Sequence, residues 1–153
     1  MTNQPPLSGQ LAILLGIASQ LYTTRMTAQL EPHGLSLSQL AVLSHCARHP
    51  DQRWTVSGLA TVMEINQPGI TKIVQKLLGR ALLHAQPDAD DARKKHLQIT
   101  PAGIDALQAV YEALDPDVEA WFRDWTVPNM EQFRASLETL IGWFDSHRLA
   151  KEE

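Results

Sequence analysis

Helix-start signals at Ser36, Thr55, Asn66 and Thr100 constrain this chain more than any other feature of its sequence. Each is a residue whose side-chain oxygen can accept a hydrogen bond from a backbone N–H two or three residues on, opening a helix. Ser36 is followed three residues later by Gln39, the pair that makes a capping box. Asn66 and Thr100 precede Pro68 and Pro101, which fall in the first helical turn, where a missing N–H costs little. Signals this closely spaced leave room only for short helices. The first carries Leu40, Val42 and Leu43 and ends by Pro50 and Asp51. The second buries Val56, Leu59, Ala60 and Met63, and the third Ile70, Ile73, Val74, Leu77 and Leu78. Leu82–Ala85 and His96–Ile99 then read as short strands, and the polar stretch Gln86–Lys95 between them as the long tip of a hairpin.

Longer helices flank this middle. Leu11, Leu14, Leu15, Ala18, Leu21 and Tyr22 recur at three- and four-residue spacing, predicting a helix over Leu7–Leu30 that stops near Pro32, His33 and Gly34. Residues Met1–Pro6 form a polar lead-in expected to be mobile. After Thr100 a helix is expected to about Trp125, with a break or kink at Asp115 and Pro116, where Asp115 can recap it. Pro128 opens a last helix with Phe133, Leu137, Leu140, Ile141 and Phe144 inward. The expectation is one compact domain, mainly α with a small β-hairpin, in three parts: a terminal helix (1–35), the short-helix and hairpin region (36–100) and C-terminal helices (101–153). Three short helices followed by a hairpin are the parts of a winged helix-turn-helix, whose third helix lies in a DNA major groove while the wing reaches the neighbouring backbone or minor groove.

A length of 153 residues suits one domain, and 44% apolar with 20% charged residues excludes a disordered chain. The apolar stretch Leu11–Ile17 is short and lacks a basic flank, so neither a signal peptide nor a membrane span is expected. Cys46 is the single cysteine, which rules out an intrachain disulfide and suits a reducing cytoplasm. A net charge of −4 is unusual for a partner of polyanions, but it is unevenly spread. From Ser36 to Thr100 the basic side chains outnumber the acidic ones, whereas the flanks are strongly acidic. The middle is therefore a mildly basic region in an acidic frame.

Opposite the apolar stripe of the third short helix stand Gln67, Thr71, Lys72, Gln75 and Lys76. Glutamine can read adenine edges, lysine can reach guanine or phosphate, and threonine can reach phosphate or a thymine methyl. Arg53 is a weaker phosphate candidate. An arginine at a hairpin tip can enter a narrow minor groove, and a carboxylate two residues earlier can aim its guanidinium through paired hydrogen bonds. Lys94, on the same tip, adds salt-sensitive affinity.

The run Asp91-Ala92-Arg93, then Leu97, Ile99, Thr100 and Gly103, resembles the wing signature of the MarR family of bacterial regulators. Leu30–Ser36 with Gln39, Val42 and Leu43 is similar to the junction between that family's first two helices. Thr55–Ala60, Gln67, Thr71, Lys72 and Leu77 are similar to its helix-turn-helix. The resemblance implies that Asp91 and Arg93 take the wing roles described above. It also implies a cleft between dimer helices and winged domain that binds aromatic acids or phenols; Tyr22, Arg25, Met26, His33 and Trp54 are the candidate lining. Two positions depart from the family pattern. Ala81 replaces a glycine after the third short helix, predicting a turn not built on a left-handed residue, and Pro116 interrupts a helix the family keeps long.

The terminal segments carry more apolar residues than one small wing domain can cover, with Trp121, Phe122, Trp125, Trp143 and Phe144 among them. A homodimer core is the expected use, and a two-fold pair suits a pseudo-palindromic double-stranded DNA operator. His45 and His49 share a helix face beside Cys46, with His33 as a third ligand candidate, but the balance favours a partly buried helix, and no metal or cofactor is assigned. Asp90 and Asp91 lack an accompanying nucleophile and the chain lacks a phosphate-cradling glycine loop, so no enzyme is expected. The expected function is a cytoplasmic DNA-binding regulator, a repressor released by an aromatic or phenolic effector. The alternatives are a winged-helix interaction module and a redox- or metal-responsive regulator using Cys46 and the nearby histidines.

Overall fold

The computed structural model describes residues 5–148. Residues 1–4 of the expected mobile lead-in and 149–153 of the C-terminal part lie outside the described residues. The elements run α1 (Leu7–Leu30), a 3-10 turn (Glu31–His33), α2 (Leu37–Arg48), α3 (Val56–Val62), α4 (Gln67–Gly79), β1 (Leu83–Pro87), β2 (Lys95–Ile99), α5 (Pro101–Trp121) and α6 (Val127–Ser146). This is the winged helix-turn-helix with long terminal helices.

The caps do what their chemistry requires. Ser36 Oγ accepts from Gln39 N at 3.2 Å while Gln39 Oε1 accepts from Ser36 N at 2.9 Å, a complete capping box on α2. Thr55, Asn66 and Thr100 each accept from the N–H three residues on, at Gly58, Gly69 and Gly103. The chain turns from α1 into α2 at Gly34, whose φ of 63° is open to glycine at no steric cost.

β1 and β2 form an antiparallel pair in the register Leu83↔Ile99 to Pro87↔Lys95. The first strand starts a residue later than expected because Leu82 is engaged elsewhere: its N–H donates to Leu77 O at 2.9 Å, while Ala81 N donates to Leu78 O at 2.9 Å. These two bonds close α4 in a Schellman motif, with Leu77 and Leu82 both buried in the core. The motif needs a left-handed residue, and Ala81 supplies it with φ 54°. The expectation of a differently built turn is therefore corrected: two backbone bonds, a buried leucine pair and Thr100 Oγ1 donating to Ala81 O at 2.6 Å together outweigh the strain of the Cβ.

The second correction concerns Pro116. α5 continues through it to Trp121, and Asp115 does not cap a new helix. The carbonyl that loses its donor belongs to Glu112, and both Glu112 and Pro116 are exposed, so water can satisfy it. The helix then ends at Trp121 rather than near Trp125, and Thr126 caps α6 by accepting from Asn129 N at 3.4 Å.

The core lies between Met26 and Leu114, centred on Leu30, Leu43, Leu59, Ile70, Leu77 and Leu97. Trp54 closes one end by a two-bond bridge to Leu97, adding a third strand position to the hairpin. At the other end Gly103 brings α5 so close to β1 that a Cβ there would overlap the Leu82 carbonyl oxygen. Most of α1 and all of α6 stay outside this core: α6 has no buried residue, and Leu7, Leu11, Leu14, Leu21, Phe133, Ile141, Trp143 and Phe144 are exposed. Among the described residues no helix is long and apolar enough to cross a membrane.

Candidate nucleic-acid interface

α4 is amphipathic in the way the sequence predicts. Ile70, Val74 and Leu77 are buried, and Gln67, Lys72, Gln75 and Lys76 project into solvent from the opposite side. Thr71 is half-buried and its hydroxyl donates to Gln67 O at 2.8 Å, so towards a ligand it offers an acceptor rather than a proton. Arg53 is exposed just ahead of α3.

Residues 88–94 form the wing tip. Asp88 N donates to Lys94 O and Lys94 N to Asp91 O, both at 2.9 Å, which closes the loop. Arg93 stands out at 95% side-chain exposure, and Lys94 is exposed beside it. Asp91 does meet Arg93, but not through the paired guanidinium bonds expected of it. One oxygen, Oδ1, accepts the backbone N–H of Arg93 at 3.0 Å and lies 3.5 Å from Arg93 Nε. The reason is local: a carboxylate two residues upstream reaches the backbone N–H first, in a turn that fixes the chain more than the side chain.

The carboxylate that ties the tip together is Asp88. Its Oδ1 accepts from Asp90 N at 2.8 Å and Asp91 N at 3.1 Å, and its Oδ2 lies 2.5 Å from His96 Nε2 on β2. The hydrogen bond from His96, then those from the Asp90 and Asp91 amides, hold the Asp88 carboxyl down at about 2. Sequence reasoning missed this pair. A carboxylate opening a polar tip is a turn signal, but nothing in the chain's linear order points from Asp88 to His96.

The region from the α1–α2 corner to the wing tip, residues 33–94, matches the family model described as MarR family. Over these residues the chain is similar to the MarR family. No curated protein sequence matches it. Its fold is similar along nearly the whole chain to solved members, at sequence identities that speak for the fold alone. A MarR-family transcriptional regulator from Rhodococcus sp. RHA1 is 20% identical with a TM-score of 0.77, covering 90% of this chain and 98% of that one. Wild-type apo MarR from E. coli is 16% identical with a TM-score of 0.73, over 91% and 98%. MepR of S. aureus, in a complex with DNA, is 19% identical with a TM-score of 0.69, over 87% and 95%.

A cleft of about 420 Å³ opens between α1, α2 and α5, with Tyr22, Met26, Ser44, Tyr111 and Trp121 on its walls. Of the five residues expected to line an effector pocket, Tyr22 and Met26 are here. Arg25 lies in the adjoining open groove with Gln29, pairing with Asp117 at 3.2 Å; Tyr22 and Trp121 border both spaces. The Arg25 hydrogen bond is the main reason that the Asp117 carboxyl sits below its ordinary value, and Gln29 Nε2 donates to it at 2.6 Å. His33 and Trp54 belong elsewhere, and their assignment to the pocket is corrected. His33 sits at the α1–α2 corner, where its carbonyl and that of Gly34 accept from the Arg80 guanidinium at the end of α4. Trp54 is drawn to the wing root by its bridge to Leu97, and its ring lies 4.5 Å from that of His45.

The His45–Cys46–His49 cluster gives no support to a redox or metal reading. Cys46 is buried, and burial pushes its thiol up to about 11, away from the reactive thiolate. The His45 and His49 rings are 5.2 Å apart, and among the described residues no group of three metal-ligating side chains gathers. Burial first, then the charges of His49, Arg48 and Arg148, keep the His45 pKa low.

Proposed function

We propose that this chain acts as a homodimeric, sequence-specific DNA-binding repressor that is displaced from a pseudo-palindromic operator by a small phenolic effector. One observation carries the DNA-facing half of this reading. The α4 face bearing Gln67, Lys72, Gln75 and Lys76 is free of other elements, and the wing offers Arg93 fully to solvent. Together they supply a major-groove reader and a minor-groove probe. The uncovered apolar residues of α1 and α6 support the dimer, because a monomer leaving Leu7 at 70% and Ile141 at 56% exposure has apolar surface that a second copy can bury.

The effector reading rests on the cleft. Its volume falls within the usual range for small ligands, its walls are largely apolar and aromatic, and its polar residues include Asp115 and the Ser44–Tyr111 pair, whose hydroxyls bond each other at 2.7 Å. Among the described residues no basic side chain lines it and Asp115 does, so a neutral phenol fits better than an aromatic carboxylate.

The deciding experiment is fluorescence anisotropy on the duplex that the protein selects from a randomised pool. Arg93→Ala is expected to weaken binding by about 1–3 kcal/mol per contact and leave the dimer intact. Lys72→Ala is expected to weaken it as well. If Arg93→Ala binds as tightly as the parent chain, the wing carries no recognition. If no member of a phenol panel both raises the melting temperature and releases the duplex, the effector half fails.

A further inference from the structure

We propose that Asp88 and His96 are the positioning residues of the wing, holding the loop that presents Arg93 and acting on DNA affinity through that arginine. The proposal rests on the reading above that Arg93 contacts DNA.

The Arg93 side chain is held by almost nothing of its own. At 95% exposure its one charged contact among the described residues is the 3.5 Å approach to Asp91, a residue of the same loop. Where the guanidinium stands therefore depends on where the loop backbone stands. Asp91 fixes the end of that backbone, through Arg93 N, but it rides on the loop and cannot anchor it to the rest of the fold.

Asp88 can. Its Oδ1 gathers the N–H groups of Asp90 and Asp91, its own N–H closes the loop on Lys94 O, and its Oδ2 takes a hydrogen bond from His96. An ionised carboxylate is only an acceptor, so Nε2 is the ring nitrogen carrying the proton. His96 belongs to β2, where it pairs with Gln86 in the ladder, so the tip is tied to the sheet by a side chain as well as by the chain itself. At 24% and 17% side-chain exposure, Asp88 and His96 are screened less than a surface pair. Without the carboxylate, Asp90 and Asp91 lose their acceptor and the tip gains conformational freedom that DNA binding must remove again.

The test measures binding to the selected duplex, at several salt concentrations, for Asp88→Ala, Asp88→Asn and His96→Gln, each alone and combined with Arg93→Ala. Asp88→Ala is expected to weaken binding about tenfold, the equivalent of reordering one or two residues. Asp88→Asn keeps an oxygen acceptor for both amides, and His96→Gln keeps a donor of similar reach; each is expected within about threefold of the parent. In the Arg93→Ala background Asp88→Ala is expected to add less than about a twofold loss, since the group it aims is gone. Amide exchange at Asp90 and Asp91 is expected to quicken in Asp88→Ala while the melting temperature holds, separating a loosened tip from a failed fold. Parent-like binding by Asp88→Ala, or the same tenfold loss with and without Arg93, overturns the inference alone. An unchanged Arg93→Ala overturns the wing reading and this inference with it.

Discussion

The middle of the molecule and its ends use apolar residues in opposite ways. Between Met26 and Leu114 the leucines, isoleucines and valines at helical spacing are largely interior, and they build one core from five helices and the hairpin. Outside those limits no described apolar residue is fully buried, and Val118 and Trp121 of α5 pack only partly against that core. α1 enters the core only with Met26 and Leu30, and α6 touches the middle by the polar end, where Arg148 donates to Thr61 O at 2.6 Å and pairs with Asp145. The same periodicity therefore means core in one region and an uncovered apolar face in the other. The difference lies in whether the chain itself provides a facing surface.

The largest expected effect breaks the ends without touching the middle. Ile141→Asp places a charge on the exposed apolar face of α6, where the monomer has nothing to lose. In a dimer the same charge is desolvated against apolar surface. Light scattering is expected to show a monomer, and affinity for the selected duplex to fall by about 10²–10⁴-fold as the two half-site contacts become independent. Far-ultraviolet circular dichroism is expected to keep the helical signal of the middle. A stable dimer in Ile141→Asp would mean that this face of α6 is not where the second copy packs.

A smaller effect, confined to the middle, comes from Gly103→Ala. The new Cβ would overlap the Leu82 carbonyl oxygen, a backbone group already accepting from Thr100 N, and the side chain of Ile99. Neither can yield without moving α5 off the wing root. Unfolding by denaturant is expected to show a loss of about 1–3 kcal/mol. Measured at one protein concentration beside the parent, a loss under about 0.5 kcal/mol would show that α5 and β1 are not locked together at this point.

What could be read from the sequence follows the same division. The caps at Ser36, Thr55, Asn66 and Thr100 were legible because each is a short-range bargain between one side chain and one nearby N–H. The exposed polar face of α4 was legible because a stripe of Ile70, Val74 and Leu77 leaves only one side for Gln67, Lys72 and Lys76. Pro116 misled because a proline's cost depends on whether the freed carbonyl meets water, which the sequence does not state. Trp54 and His33 are candidate lining only for the cleft that the family resemblance implies, whereas a strand bridge and an arginine clamp, both long-range, decide where they sit. The Asp88–His96 pair was invisible for the same reason.

Ala81 supplies the smallest effect and the finest test of the comparison. Its φ of 54° puts a Cβ in the left-handed region, which costs an L-residue about 1–2 kcal/mol. The Schellman bonds of Leu82 and Ala81, the buried Leu77–Leu82 contact and the Thr100 hydrogen bond hold the turn there regardless. Ala81→Gly removes the strain but gives the unfolded chain more freedom, about 0.4–1 kcal/mol against it. The net expectation is a gain of about 0.5–1 kcal/mol in denaturant unfolding. Because the strain lies at the end of α4, inside the self-sufficient middle, the gain is expected without any change in the dimer dissociation constant. A loss of stability on Ala81→Gly would show that the alanine methyl makes a packing contact worth more than its backbone strain. A shift in dimerisation would show that the middle and the ends are coupled through the α4–β1 turn.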